Sequence, residues 1–395
     1  MINKISFKNY KSFKDEQILE LKPLTIIIGK NSSGKSAVVK LPTLIEGSLS
    51  GNFEDPILTS NNEVELGAEF RDLIYGREIG TLNLLLEQGD EKLKLEIASG
   101  FKETDLPKIR KWNLNNQVDL IYKDIQDTYY DNLSKETIKV NFNGFNIESI
   151  EKSKSESLIG KKMTLNTNYI GPFRDVPNRT YSSRGNTKSL KNGIRGELTY
   201  QILLRDYLYN ESKLVKQVSH WYEKNFDGWG LQINSNSKPD YKIELKRNNP
   251  EFSINLRDVG EGMSQVLPLV VSAFIDTEND TLTILEQPEL HLHPAAHGNL
   301  AELFAESTKR TKNKFLIETH SNNFVLRLRR LIAQKDLNNN DVALYSVEYN
   351  SENNTSSLKK IDILENGDVS YWPTNVFSEA LDETIAIRTA QLDRK

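Results

Sequence analysis

Gly29-Lys30-Asn31-Ser32-Ser33-Gly34-Lys35-Ser36 carries the most specific chemistry in this sequence, matching Gly-x-x-x-x-Gly-Lys-Ser/Thr at every fixed position. Glycines in such a loop let the backbone curl so that successive N–H groups face inward and cradle phosphate oxygens. A helix opening at Ala37 adds the partial positive charge of its N-terminus. Asn31, Ser32 and Ser33 would line the cradle, Lys35 would reach the β- and γ-phosphates, and the Ser36 hydroxyl would ligate Mg²⁺. The chemistry implied is the holding of a triphosphate with its metal.

A loop of this kind needs an acid for the metal at the end of a neighbouring strand. Leu282-Thr283-Ile284-Leu285-Glu286 offers one, which makes Glu286 the metal ligand expected beside Ser36. Hydrolysis also needs a group that orients the attacking water, and Gln287 and Glu289 follow directly. His320, in Ile317-Glu318-Thr319-His320-Ser321, closes another short apolar run, where one imidazole can touch a γ-phosphate or a water. A hydrogen-bonded structural histidine is the alternative there. His291, His293 and His297 have spacing that admits a metal cluster, but Pro294 interrupts the backbone between them. Gly260-Glu261-Gly262-Met263-Ser264-Gln265, ahead of a helical pattern, is a second and weaker candidate anion site, using Gly260, Gly262 and Ser264.

These residues need a scaffold, and the hydrophobic pattern suggests one. Ile2, Ile5 and Phe7, then Ile18, Leu19 and Leu21, alternate with polar residues and predict two amphipathic strands. They lead into the unbroken apolar run Leu24–Ile28, a strand covered on both faces. Val64–Phe70, Gly80–Leu86 and Leu93–Ile97 predict further strands of an antiparallel layer. From about Phe101 to Lys162 periodicity fades, and an inserted lobe of mixed or helical structure is expected. Asn178–Arg195 reads as a loop. Leu198, Ile202, Leu203, Tyr207, Leu214, Val218 and Trp221 predict one long amphipathic helix. After it come helix Ser264–Phe274, strand Thr281–Leu285, a helix near Pro294–Ser307, strand Phe315–Ile317 and helix Asn323–Gln334, the rhythm of a parallel α/β sheet. The divisions expected are an N-terminal lobe (1–100), the insert (101–165), a C-terminal lobe (166–345) and a small terminal domain (346–395).

Composition narrows the class. Across 395 residues, 37% are hydrophobic and 27% charged, a balance that buries a core. The net charge of -4 argues against an overall basic coat. Cysteine is absent, so disulfides, thiol nucleophiles and thiolate metal sites are excluded. With no signal-peptide pattern and no apolar run long enough for a bilayer, a soluble cytoplasmic chain is expected.

In order, the phosphate loop, Gly-x-Gly-x-Ser-Gln, Leu-Glu-Gln-Pro-Glu-Leu-His-Leu-His-Pro and Glu-Thr-His-Ser resemble the ABC-type ATPase heads of the SMC, RecF and OLD family. The nearest likeness is to OLD-like ATPases of bacterial anti-phage loci. The resemblance implies an α/β P-loop NTPase fold of ABC-head type, with ATP and Mg²⁺ as cofactors. It makes Gly29–Ser36 Walker A, Glu286 the end of Walker B, His320 the switch histidine, and Gly260–Gln265 the signature segment. It further implies a homodimer or higher oligomer in which one subunit's signature closes on the other's nucleotide. Lys11 stands where related heads carry a basic residue near the nucleotide; a solvated surface lysine is the alternative. Three departures accompany the match. Gln287 replaces the usual catalytic Glu, and an amide orients water without accepting its proton, so turnover is slow or Glu289 substitutes. Gly260 replaces the signature Ser, and His293 the D-loop Asp.

The leading expectation is a dimeric ATPase acting as sensor or regulatory subunit of an anti-phage complex, with an effector such as a nuclease in a partner chain. No nuclease domain or membrane segment is expected in this one. A RecF-like repair ATPase is an alternative, with nucleic acid meeting Arg179, Arg184, Lys188, Lys191 and Arg195 or Arg327, Arg329 and Arg330. The others are an ATP-binding scaffold with little hydrolysis and, last, a histidine-cluster metal hydrolase.

Overall fold

A computed structural model describes every residue except 100–105, 125–126, 152–162, 184–188, 249, 278 and 393–395. Strands β1 (Lys4–Lys8) and β2 (Gln17–Glu20) pair antiparallel and lead into β3 (Leu24–Gly29), which is buried throughout. The phosphate loop then opens helix α1 (Lys35–Leu49). A short hairpin, β4 (Ser60–Asn61) and β5 (Val64–Glu65), precedes β6 (Thr81–Gln88) and β7 (Glu91–Ala98). The chain continues through β8 (Lys108–Leu114), β9 (Val118–Lys123), β10 (Thr128–Asp131), β11 (Glu136–Asn143), β12 (Asn146–Glu151), β13 (Thr167–Ile170) and β14 (Tyr181–Ser182). Helices α2 (Thr199–Tyr209) and α3 (Lys213–Asn225) come before β15 (Gly230–Ser237), β16 (Asp240–Asn248) and β17 (Glu251–Asn255). The last third alternates: α4 (Glu261–Gln265), α5 (Leu267–Phe274), β18 (Leu282–Glu286), α6 (Pro294–Arg310), β19 (Lys314–Glu318) and α7 (Asn322–Ala333). It ends with β20 (Val342–Asn350), β21 (Thr355–Ile361) and α8 (Glu379–Leu392).

The central sheet has the order β13-β18-β19-β3-β20-β21, parallel except for β21. Alternate residues of β3 enter two different cores. Ile27 joins α1 and the antiparallel sheet, while Leu24, Ile26 and Ile28 join α2 to α7. Cover on both faces is why this strand is apolar without interruption. The antiparallel sheet holds nine strands in the order β12-β11-β10-β9-β8-β7-β6-β1-β2.

Three expectations change. Val64–Phe70, expected as a strand of the antiparallel layer, supplies only β5, which pairs with β4 in a separate two-stranded hairpin. The stretch expected to be a mixed or helical insert is, in its described residues, five strands that continue the sheet of β6 and β7, since β7 pairs directly with β8. Its last turn reaches back to the P-loop helix: Phe145 N–H and Asn146 Nδ2 donate to the Ser48 and Leu49 carbonyls at 2.9 and 2.8 Å, satisfying the end of α1. The single long helix expected over Leu198–Trp221 is two helices. Glu211 and Ser212 take left-handed backbone angles, φ 53° and 57°, and the Asp206 carboxylate accepts the Val215 N–H at 2.9 Å to start α3. Among the described residues, no helix is long and apolar enough to cross a membrane.

Candidate functional site

Three parallel strands end side by side at the phosphate loop: β3 at Gly29, β19 at Glu318 and β18 at Glu286. The loop's shape is imposed by its two glycines. Gly29 has φ +146° and a Cβ there would lie 2.5 Å from the Val347 carbonyl. Gly34 has φ +105° and a Cβ would lie 2.8 Å from Ser12 Oγ. Ser356 Oγ donates to the Ser33 carbonyl at 2.7 Å and fixes the loop from β21. Helix α1 begins with no side-chain cap and no acid in its first turn, so its leading N–H groups are not spent on the protein's own carboxylates. Such a cradle fits a phosphate chain.

Lys35 is buried, its ammonium donating to the Gly29 and Lys30 carbonyls at 3.0 and 2.6 Å, with Glu318 Oε1 4.0 Å away. Burial lowers its pKa and the Glu318 charge opposes that. Ser36 Oγ donates to Glu318 Oε2 at 2.9 Å. Asn31 and Ser32 are exposed, Ser33 is buried, and the Ala37 carbonyl accepts from the Tyr10 hydroxyl at 2.8 Å.

Glu286 sits opposite Glu318 in register and is 6% exposed. Burial raises its pKa, the Glu318 charge adds to this, and the Tyr169 hydroxyl opposes it. Its Oε1 is buried without a partner. An acceptor left over at that place suits a divalent cation, so Ser36 and Glu286 fit the expected metal. Gln287, at φ 45°, has both backbone groups held: its N–H donates to the Glu318 carbonyl at 2.8 Å and its carbonyl accepts from Arg174 Nη2 at 3.0 Å. Glu289 is spent as a brace, accepting from Thr319 Oγ1 at 2.9 Å and from the His320 N–H at 2.5 Å. The His320 ring is one-third exposed, with Nε2 3.7 Å from Glu318 Oε1.

Gly260, Gly262 and Ser264 are placed elsewhere. They begin α4, and the cavity that Gly260 and Gly262 line with His291, Leu292 and His293 includes no residue of the phosphate loop. Ser264 is buried and its hydroxyl donates to the Glu261 carbonyl at 3.1 Å, so it is not offered to an outside anion. Lys11 donates to the Leu66 carbonyl; its neighbours Ser12 and Phe13 are what pack on Gly34. The three histidines have separate tasks. His291 pairs with Glu261 at 3.2 Å, His293 caps α6, and His297 Nδ1 lies 2.8 Å from Ser321 Oγ. Among the described residues, no group of histidines and acids is arranged for a metal ion. Much of the basic clustering is paired: Arg179 with Asp258, Lys191 with Glu46 and Arg327 with Glu302, while Arg329 donates to the Gly367 carbonyl. Arg184 and Lys188 lie outside the described residues.

Sequence reasoning missed Glu318, Arg174, Tyr169 and Ser356. Glu318 had a signal, an acid closing an apolar run just as Glu286 does.

Fold and site together define a P-loop ATPase head of the ABC type. Residues 1–325 match the family described as AAA ATPase domain, and the chain belongs to that family. It is similar to the "ATP/GTP phosphatase" of Helicobacter pylori, 22% identical over 85% of this chain and 90% of that one. It is also similar to the "Old nuclease" of Escherichia phage P2, 21% identical over 80% of this chain and only 56% of that protein. Among solved structures, an SMC head bound to the C-terminal winged-helix domain of ScpA superposes with a TM-score of 0.48 at 12% identity, covering 92% of this chain and 98% of that one.

Proposed function

We propose that this chain binds and hydrolyses ATP at Gly29–Ala37, and that two copies close on the nucleotide, the loop of one facing Gly260–Ser264 of the other. The carrying observation is the convergence of Lys35, Ser36, Glu286, Glu318 and His320 where three parallel strands end at a glycine-shaped loop. The separation of Gly260 and Gly262 from that loop within one chain supports closure by a second copy. Lys35 carries positive charge toward the β- and γ-phosphates, and the uncapped start of α1 supplies N–H donors. Ser36 and Glu286 would hold Mg²⁺, which neutralises phosphate charge when bound. Gln287 orients water through its amide, and His320 reaches the same face. Glu289 keeps the His320 loop in place.

At the level of the cell, the reading is a cytoplasmic sensor or regulatory subunit of an anti-phage complex whose effector, a nuclease for example, is a separate chain. The likeness to the "Old nuclease" of phage P2 supports only the link to nuclease chemistry, and this chain spans 56% of that relative. The ion pairs that occupy Arg179, Lys191 and Arg327 give no support to a nucleic-acid face there.

The test is phosphate release from ATP together with light scattering. Lys35→Ala is expected to abolish ATP binding and release. A dimer is expected with magnesium and ATP, and its weakening by Gly262→Glu. A wild-type chain that releases no phosphate, or stays monomeric at saturating nucleotide, overturns the corresponding half of the proposal.

A further inference from the structure

The acid closest to the phosphate loop is Glu318, because β19 lies directly beside β3 while β18 is one strand further away. One Glu318 oxygen accepts the Ser36 hydroxyl at 2.9 Å; the other lies 4.0 Å from Lys35 Nζ and 3.7 Å from His320 Nε2. Its backbone carbonyl accepts the Gln287 N–H, so the strand end is fixed from both sides. Glu318 is buried at 3% exposure, and a buried carboxylate needs such partners to be retained there. A serine hydroxyl that gives its hydrogen to a carboxylate turns its lone pairs away from it, which is the state a hard cation requires of a neutral oxygen ligand.

We propose that Glu318 is a positioning residue: it orients Ser36 toward the divalent cation that accompanies the triphosphate, and it draws the Lys35 ammonium to the same side of the loop. This rests on the reading of Gly29–Ala37 as the triphosphate site. It separates the two acids by task, since Glu286 keeps a buried oxygen free of protein partners and Glu318 works through Ser36.

The experiment measures equilibrium binding of a fluorescent ATP analogue, once with magnesium and once with EDTA. The quantity read is the ratio of the two affinities. Glu318→Gln, which fills the same volume, is expected to lower the magnesium-dependent gain about tenfold, with affinity in EDTA unchanged or higher. Ser36→Ala is expected to lower the gain similarly, and the double variant to lose little more, because both act on one contact. Should Glu318→Gln not fold, Glu318→Asp combined with Ser36→Ala carries the same cycle. A ratio unchanged in the Glu318 variant, or losses that simply add, overturns the role given to Glu318. A wild-type chain that binds no ATP overturns the triphosphate reading as well, so the two failures are told apart.

Discussion

Residues around His320 are held by acceptors that cannot be removed singly without leaving donors behind. Glu289 accepts from Thr319 and from the His320 N–H in a place where Thr319 is fully buried. Glu289→Ala is expected to destabilise the protein by about 1–3 kcal/mol in urea titrations, since both donors lose their partner. At Gly34 the backbone angle, φ +105°, is one an L side chain rarely adopts, and a methyl group would crowd Ser12 Oγ and the Phe13 ring. Gly34→Ala is therefore expected to remove ATP binding while costing about 1–3 kcal/mol of stability. Gln287→Glu should raise steady-state phosphate release if the amide is what limits proton acceptance; unchanged turnover would count against that role for position 287.

Secondary-structure elements show where sequence patterns speak and where they fall silent. Strands β3, β18 and β19 are buried on both faces and were legible as apolar runs, each ending at the phosphate loop or at a candidate site acid. Strands β8 to β12 were not, because they largely alternate buried and solvent-facing residues and so give no unbroken apolar run. In β11, Ile138 and Val140 point inward between exposed Thr137 and Lys139, too brief an alternation to stand out. The pairing of Ser36 with Glu318 was invisible for another reason, since strand adjacency and not spacing brings them together. The break between α2 and α3 rests on Asp206, whose carboxylate accepts the Val215 N–H. Asp206→Ala is expected to cost about 1 kcal/mol, while Asp206→Asn retains an acceptor. Burial holds the Asp206 pKa above the usual carboxylate value. The native state thus keeps its proton longer than the unfolded chain, so stability falls as pH rises through that raised pKa. Asp206→Asn should flatten this part of the pH–stability curve.

For the molecule as a whole, the nine-stranded sheet and the phosphate loop are one mechanical unit, joined where the β11–β12 turn meets the end of α1. Gly144 sits at that turn, and a Cβ there would lie 1.9 Å from the Ser48 carbonyl. Gly144→Val is expected to lower the melting temperature and to weaken ATP binding, although residue 144 is far from the loop in sequence. Assembly order follows from the central sheet. Strand β3 is flanked by β19 and β20, and the loop it feeds is fastened by Ser356. A ribosome must therefore release nearly everything up to residue 356 before the glycine loop at residues 29–36 gains all its neighbours. Until β19 at residues 314–318 has emerged, β3 lacks both of its sheet partners, and one edge stays open until β20 at residues 342–350 follows.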